Sequence, residues 1–330
     1  MLYFTFLKGV TLSLLKARST YAPMEYPEYH DIFKKANQSH WVSDEVNMSP
    51  DINDWKIVLS ESEKNVIGHV LKGFVATETY VEDFWAAKVG RWFKIPEIQR
   101  MAHTFSAFES IHSEAYAVLN ESLNLTDYDA FLHEPSAKAK IDRLTQVKGK
   151  SVRDIARSLA IFSAFTEGVN LFSSFAILLN FSRFNKMKGM GQIISWSIRD
   201  ESLHSQAGCM LFNQLIKEHP DIWDDTLKQE LYEAARLTIE LEDSFITKAF
   251  SLGQIEGLEL ADMKTFIRHR CNQKLQEIGL KSNWKNLDKS IIDKMKWFDV
   301  LSGGNTQTDF FSSRETNYSK GSIDWSKMWE

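Results

Sequence analysis

The spacing of apolar and polar residues along the chain predicts a succession of helices and almost no strands. Ser60-Glu-Ser-Glu63 is a capping box, in which a hydroxyl and a carboxylate satisfy each other's backbone N–H groups, and it opens a helix running to about Phe93. Pro96 occupies a first helical position, where a missing N–H costs nothing, and starts a helix that ends near Leu123. Residues 125–150 read as a polar connection with one short helix, and 151–181 as a long apolar helix. Met187-Lys-Gly-Met-Gly191 then breaks the chain before a helix that carries Glu201 and His204 and is closed by Pro220. Two more amphipathic helices cover about 221–252 and 260–279. With 15 Gly, 6 Pro and no Asn-Gly or Asp-Gly pair, the turn-formers of a many-stranded sheet are missing. The expected fold is all-α, with residues 24–301 as one helical domain.

The two ends depart from this pattern. Residues 1–23 join the apolar run Leu-Tyr-Phe-Thr-Phe-Leu to Lys8, Lys16 and Arg18, and hold no acid. Lys8 interrupts the run and no clear small-residue cleavage site follows, so a mobile leader is expected rather than a targeting segment, with Met24 as a candidate start. From Ser302 the chain turns to Gly-Gly-Asn-Thr-Gln-Thr, then Asp309-Phe-Phe311 and a Ser-rich stretch to Glu330. Aromatics spaced along a polar tail suit a segment that is disordered alone and docks on a partner.

Composition narrows the function classes. A chain of 330 residues with 43% hydrophobic and 25% charged residues has the proportions of a soluble globular protein. A net charge of −5 without a long basic run gives no footprint for nucleic acid. No stretch reaches the roughly 18 uninterrupted apolar residues of a membrane span. Cys209 and Cys271 are far apart and in no CxxC arrangement, which excludes a disulfide framework and a thiolate zinc site and fits the reducing cytoplasm.

Candidate chemistry concentrates in residues 108–116, Phe-Glu-Ser-Ile-His-Ser-Glu-Ala-Tyr. At about 100° per residue, His112 lies roughly 60° around the helix from Glu109, and Tyr116 within about 20° of it. One face therefore carries a carboxylate, an imidazole and a phenol. Glu201 and His204 repeat the Glu-x-x-His spacing. Short motifs recur by chance, so their companions carry the weight. Glu167 is the only acidic residue between Ile155 and Arg199, and a carboxylate in so apolar a helix is costly unless it is paired or bound to metal. An ion pair with Arg157 is the plainer alternative. Glu78 is the other companion, although Glu82 and Asp83 nearby also fit a simple solvated face.

Taken together, Glu78, Glu109 with His112, Glu167, and Glu201 with His204 resemble the inward-facing pattern of ferritin-like di-iron and di-manganese bundles. Four carboxylates balance two divalent ions, while neutral histidines complete the sites. Oxygen ligands with one imidazole per metal suit iron or manganese. Such ions are expected about 3.5–4 Å apart.

The same residues resemble those of the small, radical-generating subunit of class I ribonucleotide reductase, over roughly residues 35–215. Glu109-Ser-Ile-His112-Ser-Glu-Ala-Tyr116 is similar to that family's second ligand helix with its radical tyrosine, and Arg199-Asp200-Glu201-Ser-Leu-His204 to its fourth. His40-Trp41-Val-Ser-Asp resembles the segment that places an indole beside the cluster, in a relay through the aspartate before the fourth glutamate, here Asp200. Asp200 is then expected to accept from the second ring nitrogen of His112. Glu78 stands where Asp is common in the family. Leu171 and Phe175, four and eight residues past Glu167, are expected to wall Tyr116 from water.

The resemblance implies a ferritin-like bundle holding two iron ions, or two manganese ions, or a mixed manganese–iron pair. It implies oxidation of Tyr116 and transfer of the radical to a large catalytic subunit that makes deoxyribonucleotides. Two isolated cysteines cannot supply the three cooperating thiols of that reduction, so the partner is required. A homodimer is implied, with a flavoprotein activator if the metal is manganese. Tyr318, the tail's only tyrosine, is the expected handover residue, with Trp325, Met328 and Trp329 as docking anchors. Ferritin-like iron stores and acyl-carrier desaturases share parts of the carboxylate pattern without the Tyr116 arrangement. The nearest rivals are a related ligand-binding oxidase, with a fatty-acid-sized cavity, and a subunit that stores the oxidising equivalent on the metals. A helical scaffold without metal is the plainest alternative.

Overall fold

The computed structural model describes residues 13–144 and 147–302. Tyr318, the docking anchors and the first 12 residues of the leader lie outside the described residues.

The first helix, α1 (Pro27–Gln38), has no counterpart among the expected elements. Pro27 starts it, and Tyr29, Ile32 and Ala36 form its short buried stripe. The capping box acts as expected: Ser60 N–H donates to Glu63 Oε2 at 2.8 Å, Glu63 N–H donates back to Ser60 Oγ at 3.3 Å, and α2 (Glu61–Asp83) follows. A π-helical turn, Phe84–Val89, carries this helix on to Trp92. Next come α3 (Pro96–Ser122) and α4 (Pro135–Leu144), the latter preceded by a helical turn at Tyr128–Leu132. The 125–150 connection thus holds two short helices rather than one.

The long apolar helix α5 (Val152–Phe184) is the centre of the bundle. It is long and apolar enough to cross a membrane, yet 94% of its most apolar window is buried within the protein. Around it pack α6 (Lys188–Glu218), α7 (Asp225–Ala249) and α8 (Leu260–Glu277), with α2 against its second half. On the other side α3 packs on α2 and is covered by α1. Two short helices, Lys289–Lys294 and Trp297–Leu301, close against this body. The one strand-like feature among the described residues is an isolated bridge between Ile255 and Leu258.

Two local devices position the functional helices. The start of α6 is capped from a distance: the buried carboxylate of Asp51 accepts from Gly189 N–H and Met190 N–H, both at 2.8 Å, where the helix dipole favours negative charge. Gly189 is required by this approach, because an added Cβ would lie 2.9 Å from Asp51 Oδ2. The second device is in α5, whose middle, Ala160–Asn170, is π-helical. Such turns widen a helix and occur preferentially at functional sites.

Candidate metal centre

Four helices each direct carboxylates or imidazoles into one buried region between them: Glu78 from α2, Glu109 and His112 from α3, Glu167 from the π-helical part of α5, and Glu201 and His204 from α6. All six are at most 1% exposed. They form two overlapping groups, Glu78, Glu109, His112 and Glu201, and Glu109, Glu167, Glu201 and His204. Within each group one ligand atom per residue lies within 4.8 Å of the others. Glu109 and Glu201 belong to both groups and would be the ligands common to two ions.

The hydrogen-bond accounting shows how well these residues fit metal. His112 Nδ1 lies 3.0 Å from Glu109 Oε2 and 3.2 Å from Glu201 Oε1, and His204 Nδ1 lies 2.7 Å from Glu109 Oε1. Yet Glu78 Oε2, Glu167 Oε2, Glu201 Oε2 and His204 Nε2 are buried without a hydrogen-bond partner. Buried polar atoms are nearly always satisfied. A cluster of orphans from the two groups is what a pair of cations would satisfy.

The electrostatics agree. Burial, reinforced by neighbouring Glu109, pushes the Glu78 carboxyl well above its usual range, and burial with Glu201 and Glu109 does the same to Glu167. Burial and Glu109 push Glu201 up to about 7. Burial also acts on Glu109, but the imidazoles of His204 and His112 outweigh it and hold this carboxyl below its usual range. Burial disfavours both imidazolium ions, but the carboxylates around them, Glu109 first, raise both histidines. Protons therefore stand in for cations in the metal-free protein. Because these carboxyls are shifted upward, Glu201 to about 7, divalent metal competes with protons for them, and its uptake should weaken as pH falls from 8 to 6. Calorimetry of Mn(II) binding in two buffers of different ionisation enthalpy measures the protons displaced; uptake without proton release at pH 6.5 would contradict it.

The residues around the centre are also in place. Trp41 Nε1–H donates to Asp200 Oδ2 at 2.7 Å, and the same oxygen lies 3.3 Å from His112 Nε2. Burial disfavours the Asp200 carboxylate, yet His112 and Arg199 outweigh it and hold the pKa low. An ionised Asp200 only accepts, so His112 Nε2 carries a hydrogen, which leaves Nδ1 as the nitrogen that would bind an ion once its own proton is displaced. The Trp41 ring stacks on His112 with centroids 5.7 Å apart. Arg199 Nε also reaches Asp200 Oδ1 at 3.3 Å, although sequence neighbours on a helix are not expected to face each other. Arg157 is not the partner of Glu167; it pairs with Glu230 at 3.4 Å.

Tyr116 is fully buried and its hydroxyl has no hydrogen-bond partner. Burial drives its pKa well above the ordinary value, with the Ser197 hydroxyl acting in the opposite direction. The ring lies 6.2 Å from the His112 ring and is covered by Phe74, stacked at 4.5 Å, behind which stands Phe175 at 5.3 Å from Phe74. Leu171 is 4% exposed and lines a small cavity with Phe74. The expected apolar wall exists, but its inner leaf is Phe74, four residues before Glu78 on the same helix face. Trp85 was equally unforeseen: its Nε1–H donates to Glu167 Oε1 at 2.6 Å. Its only sequence signal is that it lies seven residues past Glu78, nearly in line with it along the helix.

A helical bundle with two groups of carboxylates and one histidine each, buried between four helices, defines the ferritin-like, dimetal-carboxylate class. The model of the family "Ribonucleotide reductase, small chain" matches residues 18–289. The chain is 34% identical over 336 residues to the probable ribonucleoside-diphosphate reductase small subunit of Invertebrate iridescent virus 3, covering 95% of this chain and 88% of that one. It therefore belongs to the ribonucleotide reductase small-chain family, whose members are the radical-generating subunits of an oxidoreductase that works with a large subunit. In fold it is similar to the ribonucleotide reductase R2 subunit of Clostridium botulinum, with a TM-score of 0.76 at 19% identity over 84% of this chain and 89% of that one. It is similar also to the dimanganese(II) NrdF of Streptococcus sanguinis, with a TM-score of 0.73 at 20% identity over 85% and 99%.

Proposed function

We propose that Glu78, Glu109, His112, Glu167, Glu201 and His204 hold two iron ions and that Tyr116 carries the radical delivered to the large subunit. The convergence of orphaned, buried ligand atoms beside an isolated tyrosine carries this reading. When bound, the metal pair would supply, with dioxygen, the oxidising equivalent that takes an electron and a proton from Tyr116. The protein's part is placement. Glu109 and Glu201 serve both ions, Trp85 fixes one oxygen of Glu167, and Asp200 fixes the tautomer of His112. Phe74 and the apolar side chains behind it cover the Tyr116 ring and keep water from its oxygen.

The continuous contact of His112, Asp200 and Trp41 gives an electron and a proton a route out of the centre. Tyr318 is our candidate for handover to the large subunit, and residues 302–330 for docking on it. We further propose a cytoplasmic homodimer. Manganese is the second choice of metal, supported by the ligand types and by the fold shared with a dimanganese protein; a flavoprotein activator belongs to that case. The ligand-binding oxidase is disfavoured by size. The cavity against Phe74 and Leu171 has a volume of about 20 Å³, on the order of one water and far short of an acyl chain.

Metal analysis of protein from its native source, with electron paramagnetic resonance before and after exposure to oxygen, tests the reading. Two iron ions per chain and an oxygen-dependent tyrosyl signal are expected. A metal-free native protein would overturn it, and two manganese ions would move the choice to the second metal.

A further inference from the structure

The π-helical segment that carries Glu167 is held from outside by side chains of two other helices. Ser205 on α6 donates from Oγ to the Ser163 carbonyl at 2.6 Å, and Arg270 on α8 donates from Nε to the Gly168 carbonyl at 2.5 Å. Gly168 directly follows Glu167. Its missing side chain lets α8 come this close: an added Cβ would lie 2.8 Å from Lys274 Cε and 2.9 Å from Ser205 Oγ. On the opposite segment Gly208 makes room for Ser163, whose Oγ would otherwise sit 1.8 Å from a Cβ. The Arg270 guanidinium also lies flat on the next turn of α5, with Cζ 3.3 Å from the Phe172 ring centroid. One side chain thus grips α5 at two points four residues apart, one and five residues past the ligand: Gly168 by its carbonyl and Phe172 by its ring.

This grip is costly enough to need a reason. Burial pulls the Arg270 pKa down to about 9, despite the nearby Asp299 and Glu277 carboxylates, so the group remains charged at neutral pH. A charged donor on a carbonyl is stronger than a neutral one. A π turn has its backbone bonds spread over i→i+5, so an external donor fixes its register as well as adding a bond. Register decides where Glu167 points, and one of its oxygens is already committed to Trp85.

We infer that Arg270 is a positioning residue for Glu167, setting the π-helical register so that the free oxygen of Glu167 reaches the metal it shares with His204. This rests on the dimetal reading above. Arg270 touches no ligand atom and acts through the Gly168 carbonyl. Arg270 also lines a cavity of about 100 Å³ with Phe266, Gln273, Met295 and Asp299. Removing the side chain therefore opens a slot that a small cation can enter from that cavity.

The test is anaerobic Mn(II) titration of the full chain, read by bound metal per chain and by the resonance signal that separates a coupled pair from a lone ion. The unaltered chain is expected to bind two ions; failure there would sink the dimetal reading itself and not this inference. Arg270→Ala should keep the Glu78–His112 ion and weaken the Glu167–His204 ion by about 10–100-fold, the usual effect of losing an outer partner. Millimolar guanidinium should restore the second ion in Arg270→Ala and do nothing for Glu167→Ala. Arg270→Lys, which keeps charge and most of the bulk, should show the same one-sided loss by a smaller factor. Two ions bound as tightly as before, or both weakened equally in either variant, would overturn the inference, since damage to packing alone has no reason to choose one metal.

Discussion

Tyr116→Phe is expected to bind both metals and keep its helices, yet to show no tyrosyl signal and no nucleotide reduction with the large subunit. The geometry makes this substitution unusually clean. The hydroxyl makes no well-aligned hydrogen bond, even with the Ser197 hydroxyl that acts on it, so its removal breaks none, and the ring that stacks on Phe74 is retained. Deleting an unsatisfied buried oxygen should if anything raise stability, by about 1 kcal/mol. A thermal midpoint unchanged or slightly higher, two metals per chain and no turnover is therefore the expected set of results. Full turnover by Tyr116→Phe would mean that the metals themselves store the oxidising equivalent.

The second large effect is expected at Glu167. Glu167→Ala should lower bound metal from two ions per chain to one or none while circular dichroism remains that of the bundle. Glu167 belongs to one of the two ligand groups, so its loss bears first on the ion shared with His204, leaving Glu78, Glu109, His112 and Glu201 as a complete set for the other. The fold survives because Ala restores apolar character to a helix already surrounded by apolar neighbours, and because an unpartnered carboxyl oxygen disappears. Two tightly bound metals in this variant would remove Glu167 from the ligand set.

How far the sequence alone carried these conclusions depended on the kind of interaction. Glu109, His112 and Tyr116 share a helix face by spacing, and Glu167 stood out because no other acid lies near it, so the residues that the structure brings together were legible as candidates without tertiary information. So were the capping box at Ser60 and the breaks around Gly189 and Pro220, which are local backbone effects. Trp85 and Phe74 were not, because nothing along a helix says which residue of another helix its side chain will meet. The π-helical middle of α5 was hidden for a different reason: a stretch such as Ile161 to Phe165, apolar but for Ser163, has no polar face whose rotation would reveal a change in period. Helix α1 was too short and too polar for its stripe of Tyr29, Ile32 and Ala36 to register, and Arg270 sits a hundred residues from the carbonyl it holds.

The apolar helix α5 also imposes an order in time. It leaves the ribosome ahead of α6, α7 and α8, which supply most of its cover. For that interval a 33-residue helix with a mean hydropathy of 1.4 over its most apolar window is made but not enclosed. Its sides are then open to chaperones, to lipid and to other nascent chains, the usual hazard of large domains that finish late. A reading-frame stop between residues 188 and 277 would not give a smaller working bundle. It would release a polypeptide whose most membrane-like segment has lost its shelter, so the part of the gene that follows residue 187 shields the helix encoded just before it.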